Sequence, residues 1–112
     1  MEHLADQQHF ESVIWRPEKP TSTLFVVYFT ANWCGACKRL NLDQIRASVQ
    51  NPKVKFYKCD VDENEYTGGF CGVKSLPTFV AFHKGKVVDQ LSNSNTAAVS
   101  TWLNDVVKMV NP

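Results

Sequence analysis

Residues 33–38 read Trp33-Cys34-Gly35-Ala36-Cys37-Lys38, a Cys-x-x-Cys motif that closely follows an apolar run at residues 24–29. The run is continuous and rich in β-branched and aromatic side chains, which predicts a strand that is buried on both faces. If the chain turns helical after Trp33, the two sulfurs lie one turn apart and can close into a short disulfide ring or reopen. A Cys-x-x-Cys motif between a strand and a helix indicates thiol–disulfide exchange.

The composition fits one folded domain over residues 1–112, because 44% of the residues are apolar and 12% are aromatic. A formal net charge of +1 offers no basic patch or acidic tail that would indicate a nucleic acid or a membrane as partner. The N-terminus lacks the basic and apolar segments of a secretory signal, and the longest apolar run is far shorter than the ~20 residues of a membrane span. We therefore expect a soluble cytoplasmic protein, with a mature secreted form as the alternative.

The hydrophobic pattern predicts helices between strands and hence an α/β fold. Strands are predicted at residues 24–30, 54–61, 78–83 and 86–91, the last two joined as a hairpin by Lys84-Gly85. Helices are predicted from the N-cap Asp6 to Pro17, over residues 34–48, over residues 63–70 with an end at Gly68-Gly69, and from Asn95 or Thr96 onward. The polar, proline-bearing residues 16–21 are predicted to form a surface loop.

The motif, its preceding strand and a later stretch, Ser75-Leu76-Pro77-Thr78-Phe79, resemble the thioredoxin family over nearly the whole chain. The resemblance implies the thioredoxin fold, a central mixed sheet of four or five strands with helices on both faces and a shortened or missing first strand. It implies a protein dithiol–disulfide oxidoreductase with no bound cofactor or metal. The implied partners are an NADPH-dependent thioredoxin reductase and disulfide-containing protein substrates. A monomer is expected, with a Cys71-linked dimer as the alternative.

Cys34 is the predicted nucleophile, because a helix N-terminus lowers the pKa of a thiol placed there. Cys37 should be shielded and act second, attacking Cys34 to release the reduced substrate. Trp33 is expected to lie beside the sulfurs and cover them from solvent. Gly35 should let the turn approach closely. The alternative for the pair is two buried structural cysteines.

Ala36 departs from the family, which commonly has proline at this position. Proline would stiffen the turn and remove a backbone donor. Alanine restores the amide, and added donation to the Cys34 thiolate should favour the dithiol. We therefore expect a somewhat more oxidising pair.

The substrate groove is expected beside Trp33, Leu76, Pro77 and Asn93. Pro77 matches the proline that is cis in thioredoxins, and the Leu76 backbone would pair with an extended substrate segment as an added strand. The alternative is an ordinary trans proline that opens an edge strand. Asn93 stands where the family usually has glycine. Since Asn tolerates positive φ, we expect the backbone shape to be kept.

Tyr28 is the largest departure, because thioredoxins generally carry a buried Asp six residues before the first cysteine, where it accepts the proton of the second. A phenol with an ordinary pKa of ~10 cannot act as that base at neutral pH. Lys58, at the matching position of the next strand, resembles the lysine that pairs with the Asp in some members. Water, the leaving Cys34 thiolate and Lys58 stay open as proton acceptors for Cys37.

Cys59 and Cys71 are expected to be small buried hydrophobic residues. Two other functions stay open. One is an interaction module of thioredoxin fold that docks an extended segment, supported by Tyr28 and Asn93. The other is an oxidase or isomerase domain, which a high reduction potential would favour.

Overall fold

The apolar run at residues 24–29 forms the centre of a sheet in the computed structural model, which describes residues 1–16 and 21–112. The strand that contains this run is Leu24–Thr30, and all seven of its residues are buried. Alternate side chains contribute to two hydrophobic clusters, so that Leu24, Val26 and Tyr28 belong to one and the intervening residues to the other. The predicted two-sided burial is confirmed.

The described residues form one five-stranded mixed sheet of order β1-β3-β2-β4-β5. Its strands are β1 (Glu2–His3), β2 (Leu24–Thr30), β3 (Val54–Asp60), β4 (Thr78–His83) and β5 (Lys86–Ser92). β1 and β2 run parallel to β3, whereas β4 pairs antiparallel with β2 and with β5. The first strand is shortened to two residues. The β4–β5 hairpin is confirmed, with Lys84 and Gly85 both at positive φ in its turn.

Helices cover both faces of the sheet, as predicted. They are α1 (Gln7–Phe10) with a π-helical continuation (Glu11–Trp15), a 3₁₀ helix (Ala36–Arg39), α2 (Leu42–Ala47), α3 (Glu65–Phe70) and α4 (Thr96–Val110). Phe10 and Ile14 pack in the cluster on one face, and Ile45 and Leu103 in the cluster on the other. Within the described residues, none of these helices combines the length and apolarity that crossing a bilayer requires.

The first helix begins as predicted, because the Asp6 side chain accepts a hydrogen bond from the His9 amide at 2.9 Å. Its last helical residue is Trp15. The predicted stop at Pro17 and most of the predicted loop at residues 16–21 lie outside the described residues.

The prediction of one continuous helix over residues 34–48 is wrong, because the structure has two shorter helices there, the 3₁₀ helix and α2. Leu40 is extended at φ −79° and ψ 138°, and α2 begins anew after Asn41. The Asn41 side chain accepts a hydrogen bond from the Gln44 amide at 3.0 Å, and the Asn41 amide donates to the Thr96 hydroxyl at 3.0 Å. Asparagine competes with helical backbone bonding and favours a cap, and the contact with α4 holds it there.

The predicted helix over residues 63–70 begins two residues later and does not end at its glycines. Asn64 is buried and caps α3, since its side-chain oxygen accepts from the Thr67 amide at 3.2 Å. The helix then continues through Gly68 and Gly69 to Phe70.

Candidate active site

Cys34 and Cys37 form a disulfide just after β2, with their Cα atoms 5.4 Å apart. The turn is held by backbone hydrogen bonds from Cys34 to the Ala31 carbonyl at 3.1 Å and from Lys38 to the Gly35 carbonyl at 3.2 Å. Gly35 has a negative φ, and a Cβ added there would meet nothing within 4 Å. The turn therefore does not need glycine for its own close packing, and the space in front of Gly35 is open.

A single amide, rather than a long helix, supplies the polar contact to the Cys34 sulfur. The Cys37 amide donates to Cys34 Sγ at 3.1 Å. Because the helix at this point is a four-residue 3₁₀ turn, its dipole is small. A hydrogen bond to the charged form stabilises a thiolate and lowers its pKa. The same contact can therefore stabilise the Cys34 thiolate when the disulfide opens.

The two cysteines are almost equally buried in the disulfide form, although the sequence predicts that Cys37 is the shielded one. Their exposed fractions are 4% and 6%. The two cysteines differ in their contribution to a surface groove beside the disulfide. It has a volume of about 650 Å³ and is lined by Cys34, Trp33 and Leu76, whereas Cys37 does not contribute to its wall. A substrate in the groove therefore meets Cys34.

Trp33 lines the groove with 69% of its surface exposed, which excludes a role in the core. Its indole Nε1–H donates to Asp62 Oδ2 at 2.8 Å. This bond satisfies the polar end of the ring and leaves the apolar face for a bound molecule. Sequence reasoning missed Asp62, since 29 residues separate the two and only the fold brings them together.

The Leu76–Pro77 peptide bond is cis, as the resemblance implied. Leu76, Pro77, Asn93 and Ala36 contribute to the wall of a second, smaller recess of about 320 Å³. The predicted groove residues are thus brought together next to the cysteine turn.

Asn93 does not keep the positive φ expected of it. Among the described non-glycine residues, positive φ occurs at Lys84 and Asn111. The Asn93 side-chain oxygen instead accepts from the Asn95 amide at 2.8 Å. This local turn satisfies the backbone before α4 without a left-handed residue.

Tyr28 is a buried packing residue whose ring stacks on Phe79, with centroids 5.1 Å apart and planes inclined by 25°. Burial raises the pKa of Tyr28 above its ordinary value, and a hydrogen bond with Thr30 only partly opposes this effect. The phenol is therefore neutral at neutral pH and is not a base. Lys58 lies directly opposite Tyr28 in the β2–β3 register, as predicted, and is half-buried.

Cys59 and Cys71 are free thiols among the described residues, and neither lines the groove. Cys59 is fully buried, whereas Cys71 is half-buried. Burial raises the pKa of each thiol to about 12. Since the thiolate is the reactive form, both should be poor nucleophiles at neutral pH.

Alkylation of the reduced protein tests this difference. With iodoacetamide at about pH 7, we expect Cys34 to be labelled while Cys59 and Cys71 stay unmodified, as read by peptide mapping. Because the thiol pKa at both positions is about 12, the thiolate fraction there stays at or below roughly 0.1% up to pH 9, whereas an ordinary thiol of pKa ~8.5 is mostly ionised at that pH, so labelling of both should remain far slower than labelling of Cys34. Both should react after unfolding in guanidinium. Labelling of folded Cys71 at the rate of Cys34 would contradict the assignment.

Comparison with known proteins places the chain among relatives with the same architecture. The family model for thioredoxin matches residues 2–105. The chain is 37% identical over 94 residues to Thioredoxin-like protein 1 of Schizosaccharomyces pombe, covering 82% of this chain and 31% of that protein, so it spans about a third of that relative. It is 30% identical over 103 residues to Thioredoxin-3, mitochondrial, of Saccharomyces cerevisiae, covering 92% of this chain and 77% of that protein.

A solved structure agrees with these sequence matches. The X-ray structure of Fasciola hepatica thioredoxin superposes with a TM-score of 0.78 at 33% identity, over 97% of this chain and 98% of that one. The family match also falls on a chain whose Cys-x-x-Cys pair closes into a disulfide beside an open groove. The chain therefore belongs to the thioredoxin family and, like its members, is a thiol–disulfide oxidoreductase.

Proposed function

We propose that the chain reduces disulfides of protein substrates, with Cys34 as the nucleophile and Cys37 as the resolving thiol. The observation that carries this assignment is the asymmetry of the pair. Cys34 lines the groove and accepts the Cys37 amide hydrogen bond, whereas Cys37 does not contribute to the groove wall.

The proposed reaction has two exchange steps. The Cys34 thiolate attacks one sulfur of the substrate disulfide, so that a Cys34–substrate bond forms, the substrate S–S bond breaks and the leaving thiolate takes up a proton. Deprotonated Cys37 then attacks Cys34 Sγ, which forms the Cys34–Cys37 disulfide and releases the second substrate thiol. In total, two electrons and two protons pass from the pair to the substrate.

The walls of the groove support an extended substrate segment. The exposed Trp33 ring and Leu76 offer apolar contact next to Cys34, and the recess at Pro77 and Asn93 continues from the same turn. An extended segment could add to the backbone at Leu76 as a strand.

The reaction needs a source of electrons to reopen the disulfide after each turnover. We propose an NADPH-dependent thioredoxin reductase as that partner and no bound cofactor in the chain itself. A cytoplasmic location is proposed because the free Cys59 and Cys71 suit a reducing compartment. The yeast relative named mitochondrial makes the mitochondrion the alternative. Localising a tagged full-length chain separates the two.

An insulin-reduction assay tests the proposed function. With NADPH and thioredoxin reductase present, the protein should reduce insulin, so that insulin precipitates promptly and the reductase consumes NADPH as it reopens the Cys34–Cys37 disulfide. A protein that binds disulfide peptides without turnover would be the interaction module instead. The neutral, buried Tyr28 is the feature that supports this alternative, whereas the Cys34–Cys37 disulfide beside the groove supports the reductase.

Ala36→Pro should make the protein a stronger reductant. Ala36 is the first residue of the 3₁₀ helix, a position that tolerates proline. Proline stiffens the turn in the geometry of the disulfide form, while the Cys37 amide that donates to Cys34 Sγ is kept, so the dithiol should be less favoured. We expect a fall in reduction potential of about 30 mV, a tenfold change in the equilibrium constant, which a glutathione titration resolves. Ala36→Ser keeps the amide and serves as the control. A potential that rises or stays unchanged in Ala36→Pro would contradict this explanation.

A further inference from the structure

Two adjacent glycines of α3, Gly68 and Gly69, form part of the groove wall beside Cys34. Glycine destabilises a helix relative to alanine, and α3 has only six residues. The pair therefore needs a reason in packing, in backbone conformation or in the groove.

Packing accounts for Gly68 but not for Gly69. A Cβ added at Gly68 would lie 3.3 Å from Val61 Cγ1, and Gly68 is buried. A Cβ added at Gly69 would meet nothing within 4 Å. Backbone conformation does not require glycine there either, because Gly69 is helical, whereas Gly72 has a φ of +69°. The absence of a side chain at Gly69 therefore keeps open the groove outside the helix.

Most residues that line this groove are apolar, and the charged Glu65 and Lys74 also contribute to its wall. Trp33, Val61, Val73 and Leu76 line the same groove, and the Trp33 Nε1–H is already bound to Asp62. An apolar surface of this kind gains most from a large apolar or aromatic side chain. Without a side chain at Gly69, the groove that Cys34 also lines stays open along this part of α3.

We propose that Gly69 is a specificity element that admits a large apolar side chain of the substrate next to the cysteine under attack. The inference rests on the proposed function, because it concerns which disulfide segments Cys34 reduces fastest. It predicts that the protein discriminates between substrates by the residue that flanks the reacting cysteine.

Two disulfide peptides that differ only in that residue, phenylalanine or alanine, provide the test. We expect the reduced wild-type protein to reduce the phenylalanine peptide with a kcat/KM at least about tenfold higher than that for the alanine peptide. Even one methylene group in an apolar pocket changes kcat/KM by about this factor. Gly69→Leu should fill the space and remove most of this preference, and Gly69→Ala should remove part of it. The matched control is Thr101→Leu, which adds the same side chain at an exposed position of α4 and should keep the wild-type ratio.

Thermal unfolding of each variant separates selectivity from folding. Gly69→Leu should be at least as stable as the wild type, because leucine is the better helix former. If Gly69→Leu did not fold, a wild-type ratio in folded Gly69→Ala would still overturn the inference. A wild-type protein that reduces both peptides equally overturns it and leaves the proposed function intact. A wild-type protein that reduces neither overturns both.

Discussion

Cys37→Ser should convert the protein from a catalyst into a covalent trap for its substrates. The backbone amide that donates to Cys34 Sγ at 3.1 Å remains in the variant, so the first attack keeps its hydrogen bond. The intramolecular thiol for the second step is lost, and such a group acts at an effective concentration of roughly 10⁵ M or more. We therefore expect insulin turnover to fall by at least about a thousandfold, while intact-mass spectrometry shows a stoichiometric mixed disulfide at Cys34.

Cys34→Ser is the matched control for this assignment. Cys37 does not line the groove, so a substrate should not reach it and no mixed disulfide should accumulate. Trapping of substrate by Cys34→Ser, with none by Cys37→Ser, would reverse the two roles.

Features that depend on local composition and a recognised motif could be predicted from the sequence. The continuous apolar run is short and rich in β-branched and aromatic residues, which favours a buried strand, and it forms β2. The hairpin turn at Lys84-Gly85 and the cis bond before Pro77 were also predicted. The strand and the turn have their whole signal in neighbouring residues, which the tertiary structure does not override, whereas the cis bond was implied by the family resemblance.

Features that depend on contacts between distant residues could not be predicted. The break before α2 requires the bond from Asn41 to Thr96, which are 55 residues apart, and the apolar spacing alone is continuous across the break. The Trp33–Asp62 bond has no signal in the sequence either. The positive φ expected at Asn93 came from the family and failed because the asparagine side chain bonds its own turn. The family resemblance therefore predicted the position of the groove correctly. It did not predict the backbone conformation of Asn93, where the residue type differs from the usual glycine of the family.

Tyr28→Asp should accelerate the second exchange step without changing the first. The aspartate would lie in the hydrophobic cluster that also contains Cys37, where it could accept the thiol proton. A well-placed general base contributes about 10²–10⁴-fold, and we expect about tenfold here because water or the leaving thiolate already serves in part. The first measurement is the rate at which substrate is released from a preformed mixed disulfide at Cys34. The second is the alkylation rate of Cys34 in the reduced protein, which should not change.

Tyr28→Phe is the control that separates proton transfer from packing. It keeps the stacking on Phe79 and removes only a hydroxyl whose raised pKa keeps it protonated, so release should proceed at the wild-type rate. Tyr28→Asp loses the stacked ring and buries a carboxyl, and we expect roughly 3–5 kcal/mol of destabilisation in a urea titration. Burial raises the pKa of the new carboxyl above the unfolded ~3.9, so the unfolded chain ionises first and the stability of the variant should fall as pH rises above that value. If folded Tyr28→Asp releases substrate no faster than Tyr28→Phe, then Tyr28 serves packing alone. The Cys37 proton would then already have an acceptor, either water, the departing Cys34 thiolate or Lys58.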